Sequence, residues 1–128
     1  MTLLLDTQII LWAALSPAAI TERAFQALRN PDNRRLISAV TCWEIATKVQ
    51  TGKLVLPLPL DEFLDRQIAD LVLTPLPLTR FHATRVASLP LLHRDPADRL
   101  LVAQAQIERV PIVSSDAMIR RYNVEVIW

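Results

Sequence analysis

The chain holds a single glycine, Gly52, among its 128 residues. Loops that cradle phosphate, whether of the P-loop or the dinucleotide type, need several glycines where backbone approaches ligand. Both are therefore excluded, and nucleotide-cofactor chemistry loses most of its ground. Cysteine is equally scarce. The lone Cys42 permits no internal disulfide and no cysteine-cluster metal site, fits a reducing compartment, and reads as buried packing. No apolar run approaches the roughly 18 to 20 residues of a membrane helix, and the opening "MTLLLD" lacks the basic region and long apolar stretch of a signal peptide. A cytoplasmic location without a membrane partner is expected. An excess of charge of one sign is also lacking: a formal net charge of +1 does not by itself predict a nucleic-acid partner.

What is present in quantity is apolar side chain. With 52% hydrophobic residues the chain has ample material for a core, and its length suits one domain spanning residues 1–128. Twelve of the fourteen basic residues are arginine, whose planar fork suits phosphate. If four of the thirteen acids are set aside in one metal-neutralised site, fourteen basic residues face nine remaining acids. That surface, at +5, attracts a polyanion.

Hydrophobic patterning alternates strand and helix. "LLLD" at 3–6 is a short buried strand, and "TQIILWAAL" behind it has helical spacing. Thr21, with Ile20 before it and Phe25 four places on, looks like the cap of a helix running to about Arg29. "RLISAV" at 35–40 is a second strand; "TCWEIATKVQTG" is a helix capped by Thr41 and stopped at Gly52. An extended "LVLPLPL" leads to an amphipathic helix, "DEFLDRQIADL", with Leu64, Ile68 and Leu71 aligned. "VLTPLP" is a third strand, "TRFHATRVASL" a helix, 96–109 a long helix, "PIVSS" a fourth strand, "DAMIRRY" a short helix and "VEVIW" a last strand. The expected fold is an α/β sandwich of three layers, helices covering both faces of a mostly parallel sheet.

"RDPADRLLVAQA" at 94–105 raises the functional question, with two aspartates three apart at the head of an apolar segment. Pro96 suits the first helical position, so Asp95 reads as the N-cap. Asp98 then shares a face with Leu101, Val102 and Ala105. Asp6, Glu44 and Asp116 are comparable, each near the carboxyl end of a strand. Taken singly, capping accounts better for Asp6, Asp95 and Asp116, and Thr41 with Glu44 has the form of a capping box. The same sheet edge, however, is where α/β folds bind ligands. Several carboxylates converging among apolar neighbours either protonate in part or hold a divalent cation, and an all-oxygen set suits Mg²⁺ or Mn²⁺ better than Zn²⁺.

Four blocks, "LLLDTQIILWAAL", "ISAVTCWEIATKVQTGKLVLP", "LLHRDPADRLLVAQA" and "IVSSDAMIRRYNVEVIW", resemble in order and spacing the acidic blocks of PIN-domain proteins, and among them the small ribonuclease toxins of bacterial VapBC toxin–antitoxin pairs. The likeness runs over nearly the whole chain. It implies a PIN-like fold and a metal site of Asp6, Glu44, Asp98 and Asp116, with Asp95 capping the helix and supporting the site from behind. Ser114 takes the hydroxyl position of a threonine-x-aspartate pattern. Gln8 stands where relatives often carry histidine and Ala97 where they often carry an aromatic, which bears on the shape of the cleft. The implied activity is Mg²⁺- or Mn²⁺-dependent hydrolysis of RNA phosphodiesters by a homodimer silenced by a cognate antitoxin. Arg94 and Arg99, adjacent to the acids in sequence, are candidate phosphate contacts. A DNA nuclease of the same fold and a catalytically silent protein-binding module are the alternatives. His82 and His93 lack a partner at ligand spacing and are read as non-catalytic, and Trp12 and Trp43 as core or dimer contacts.

Overall fold

The structure is a computed structural model that describes residues 1–128. Five strands, β1 (Thr2–Leu5), β2 (Arg34–Ser38), β3 (Leu73–Leu76), β4 (Ile112–Val113) and β5 (Val126–Ile127), form one sheet in the order β3-β2-β1-β4-β5. Every neighbouring pair is parallel, with Leu4 opposite Leu36 on one side and Ile112 on the other. Six α-helices accompany it: α1 (Thr7–Leu15), α2 (Glu22–Arg29), α3 (Ala39–Gln50), α4 (Leu60–Asp70), α5 (Arg80–Arg85) and α6 (Pro96–Glu108).

Leucines fill β1 because both of its faces are covered, as in parallel sheets generally. Successive side chains point to opposite faces. Leu4 joins Leu36, Leu101, Val102, Ile112 and Ile119 under α6, while Leu3 and Leu5 join Ile9, Ile10, Ile37 and Val113 under α1 and α2. A smaller cluster of Leu11, Ile45 and Phe63 anchors the extended 54–58 segment. These are the three expected layers.

Several boundaries differ from expectation for identifiable reasons. β2 ends at Ser38, not at Val40, because the Ser38 hydroxyl accepts from the Val40 amide at 2.9 Å and caps α3. Thr41 is accordingly no cap: it is fully buried inside the helix and takes a 3.0 Å hydrogen bond from the Thr7 hydroxyl. In α4 the buried positions are Phe63 and Gln67, and Leu64 packs only at the margin. "DAMIRRY" forms turns and one 3₁₀ segment, Ile119–Arg121. Gly52 behaves as expected: at φ +74° it ends α3, with Lys53 N–H bonded to Lys48 C=O and Gly52 N–H to Val49 C=O.

From β1 the chain winds outward to β2 and β3 on one side, and β4 and β5 lie on the other. Strand order therefore reverses at β1 and β4, and the crevice beyond their carboxyl ends is the ligand position of such sheets. Asp6 follows β1 and Asp116 lies shortly after β4.

Candidate active site

Asp6 occupies the N-cap position of α1 in backbone geometry, yet its side chain makes no capping hydrogen bond. Its Oδ2 instead accepts from the Ser114 hydroxyl at 2.6 Å, tying the ends of β1 and β4 together. Ser114 Oγ in turn accepts from the Asp116 amide at 3.0 Å, and Asp116 Oδ1 accepts from the Met118 amide at 2.8 Å. Since α3 begins at Ala39, Glu44 lies in its second turn and not in a capping box. Glu44 Oε2 meets Lys48 Nζ at 3.4 Å, while Oε1 is buried without any hydrogen-bond partner. At α6 Asp95 is the N-cap, accepting from the Ala97 amide at 2.9 Å, and Asp98 is buried in the first turn.

Asp6, Glu44, Asp95, Asp98 and Asp116 all line one hollow of about 370 Å³, with Gln8, Trp12, Lys48 and Ser115 among its other walls. His93, which was read as non-catalytic, stands against it. Its Nε2 lies 2.8 Å from Asp116 Oδ2 and 3.0 Å from Asp98 Oδ2. Its Nδ1 accepts from the Asp95 amide at 3.1 Å, which assigns the neutral ring's proton to Nε2. One N–H thus faces two carboxylates. The ligand atoms of His93, Asp98 and Asp116 all lie within 4.8 Å of one another.

The electrostatics follow from this crowding. Burial, then the charges of Asp6, Asp95, Glu44 and Asp116, push the Asp98 carboxyl up from 3.8 to about 8. Asp6 is raised chiefly by burial, with Glu44 and Asp116 adding to it against the Ser114 hydroxyl. At Asp116 burial also acts upward, but the His93 hydrogen bond and the Met118 amide outweigh it and hold the carboxyl low. Asp6 and Asp98 thus resist ionisation while no cation neutralises the cluster. Nor does protein satisfy Glu44 Oε1. An oxygen-rich, partly buried cluster with an orphaned carboxylate oxygen fits a divalent hard cation.

Asp6, Glu44, Asp98 and Asp116 are therefore brought together, with Asp95 and Ser114 touching the same set. The two arginines are not. Arg99 is buried, donating to Pro90 C=O at 2.8 Å, Tyr122 Oη at 3.1 Å and Val86 C=O at 3.2 Å; it braces the segment before α6 and offers nothing to a phosphate. Arg94 is exposed and borders a neighbouring hollow with Leu91 and Leu100. Trp43 is no core residue, being 58% exposed, whereas Trp12 flanks the acids with its ring 5.8 Å from that of Trp128. Cys42 is half-buried against the α1/α2 core. Sequence reasoning missed Lys48 and His93. Lys48 carried a signal, its i,i+4 spacing from Glu44.

Comparison with known proteins gives concordant results. Residues 3–125 match the family described as PIN domain. Ribonuclease VapC22 of Mycobacterium tuberculosis is 29% identical over 122 residues, covering 95% of this chain and 92% of the relative. Among solved structures, VapBC2 from Rickettsia felis bound to a DNA fragment from its promoter superposes with a TM-score of 0.75 at 16% identity, covering 98% of this chain and 97% of that one. VapBC-1 from nontypeable Haemophilus influenzae superposes at 0.62 with 15% identity, covering 98% and 96%. At such identities the structural likeness speaks for the fold. No helix is long and apolar enough to cross a membrane.

Proposed function

The chain belongs to the PIN-domain family, and from that premise we propose that it is a Mg²⁺- or Mn²⁺-dependent endoribonuclease, the toxin of a toxin–antitoxin pair. The observation that carries the reading is the convergence of Asp6, Glu44, Asp98 and Asp116 in one hollow, with Glu44 Oε1 buried and unpartnered. Likeness to the mycobacterial ribonuclease supports RNA as substrate, and the VapBC structures support an antitoxin partner.

In this reading Asp6, Asp98 and Asp116 supply the oxygen ligands, and Glu44 acts as a ligand or orients the attacking water. A divalent ion held there supplies Lewis acidity, activating water near neutral pH and stabilising charge on the leaving oxygen. Ser114 fixes the Asp6 carboxylate, and Asp95 fixes the first turn of α6 and with it the reach of Asp98. The His93 N–H holds the Asp98 and Asp116 oxygens close together. Burial of Asp6 and Asp98 keeps bulk water from competing for their lone pairs. Trp43 and Leu78, exposed around an apolar hollow also lined by Val40 and Leu100, support the homodimer, because exposed apolar patches of this kind mark contact surfaces.

The test is incubation of purified protein with cellular RNA and with single-stranded DNA, each with Mg²⁺, Mn²⁺ or EDTA. RNA cleavage that needs metal and disappears in Asp116→Asn is the expected result. Cleavage of DNA alone would replace the substrate, and cleavage that survives EDTA would overturn the mechanism.

A further inference from the structure

A cleft walled by five carboxylates has to hold a polyanion, yet it contains little positive charge. Arg99 is fully engaged in bracing backbone, and Arg94 faces the adjoining hollow. Of the side chains that line the acid cleft, Lys48 is the one cation. It sits at the last turn of α3, one helical turn beyond Glu44, with its side chain 38% exposed. Its contact with Glu44 Oε2 at 3.4 Å is long for a charge-assisted hydrogen bond. Glu44 has one oxygen turned to Lys48 and the other buried with no partner. A carboxylate so placed gains more from a divalent ion than from an exposed ammonium, and an ammonium on a flexible four-carbon stem is readily redirected.

We propose that Lys48 is the phosphate-gripping residue of the cleft: its ammonium leaves Glu44 for an RNA phosphate beside the scissile linkage when the acids hold their metal. This rests on the nuclease reading above. The competing account is that Lys48 only props Glu44 in place, and the two differ in sign. Without its lysine Glu44 is less neutralised, so a phosphate-gripping role leaves metal affinity unchanged or tighter while RNA binding weakens. A propping role weakens both.

The experiment measures binding of a labelled short single-stranded RNA by fluorescence anisotropy across a salt series, with Ca²⁺ in place of Mg²⁺ to hold back hydrolysis. Mn²⁺ affinity is measured separately by calorimetry. Each phosphate contact on a single strand contributes about 0.7 to the slope of log affinity against log salt. Lys48→Gln is therefore expected to flatten the slope by about 0.7 and to weaken binding about five-fold at ~0.1 M salt. Lys48→Arg should restore the slope, and Lys53→Gln, a change at an exposed lysine outside the cleft, should match wild type. An unchanged slope and affinity in Lys48→Gln overturns the inference, as does a loss of Mn²⁺ affinity in step with RNA. Wild-type protein that binds no RNA with Ca²⁺ present overturns the nuclease reading itself, a distinct outcome.

Discussion

Replacing Asp98 by asparagine isolates the electrostatic cost built into the cleft. In the metal-free protein burial and four neighbouring acids raise this carboxyl from 3.8 to about 8. Between those values the folded state keeps a proton that the unfolded chain has lost, so stability falls as pH rises through the window. Below about pH 4 both states are protonated and the contribution vanishes. Each pKa unit is worth about 1.4 kcal/mol. For a domain of this size one unit alone moves the midpoint by roughly 4 to 8 °C. Asparagine resembles the protonated acid and has nothing to titrate. In EDTA, the wild-type midpoint should drop from about pH 4 to about pH 8 and that of Asp98→Asn should drop less, leaving the variant the more stable protein at the upper end. Saturating Mg²⁺ should reverse the order: a ligand at 100 times its dissociation constant stabilises by about 2.7 kcal/mol, on the order of 10 °C here, and the variant should gain little. Scanning calorimetry across pH, with and without metal, reads both effects. Parallel pH profiles or equal metal-induced gains would refute the reasoning.

Asp95→Ala should lose about 0.5 to 2 kcal/mol by removing the cap on Ala97, yet still cleave RNA; a folded but inactive Asp95→Ala, measured by thermal midpoint and cleavage rate, would make Asp95 a ligand. His93→Ala should destabilise the metal-free protein by about 1.5 to 3 kcal/mol, the value of a hydrogen bond to a charged group, and enlarge the Mg²⁺-induced gain; a smaller gain would show that His93 ligates metal. Arg99→Met should cost about 3 kcal/mol by leaving the carbonyls of Pro90 and Val86 unpaired, while RNA affinity per folded molecule stays at the wild-type value. Trp43→Asp should sediment as a monomer in analytical ultracentrifugation without loss of fold, and an unchanged species would place the dimer surface elsewhere.

The layered α/β fold was legible because its signal is periodicity, and burial of a parallel sheet on both faces imprints unbroken apolar runs such as "LLL" and "LIS". Asp6 and Asp116 were legible as neighbours because the ends of parallel strands share one edge. The start of α3 was not. Ser38 and Thr41 are both capping types within one apolar stretch, and only their hydrogen bonds show which one caps: the Ser38 hydroxyl accepts from the Val40 amide, whereas the equally buried Thr41 hydroxyl accepts from Thr7. Arg99 misled because adjacency in sequence is not adjacency on a helix: one residue beyond Asp98 it points about 100° away, toward Tyr122 and the backbone of Val86 and Pro90. The place of His93 beside the acids was not legible because a loop, without any periodicity to read, folds its ring back onto the Asp95 amide.

In the proposed function the four acids act as one metal site. Mn²⁺ titrated into metal-free protein, with bound ion followed by electron paramagnetic resonance, tests this most directly in wild type, Asp6→Asn, Glu44→Gln, Asp98→Asn, Asp116→Asn and Asp95→Asn. Specific binding by wild type and Asp95→Asn, weakened at least about ten-fold, or roughly 1.4 kcal/mol, in each of the other four, is the predicted result. Equal Mn²⁺ affinity across all six proteins would contradict it.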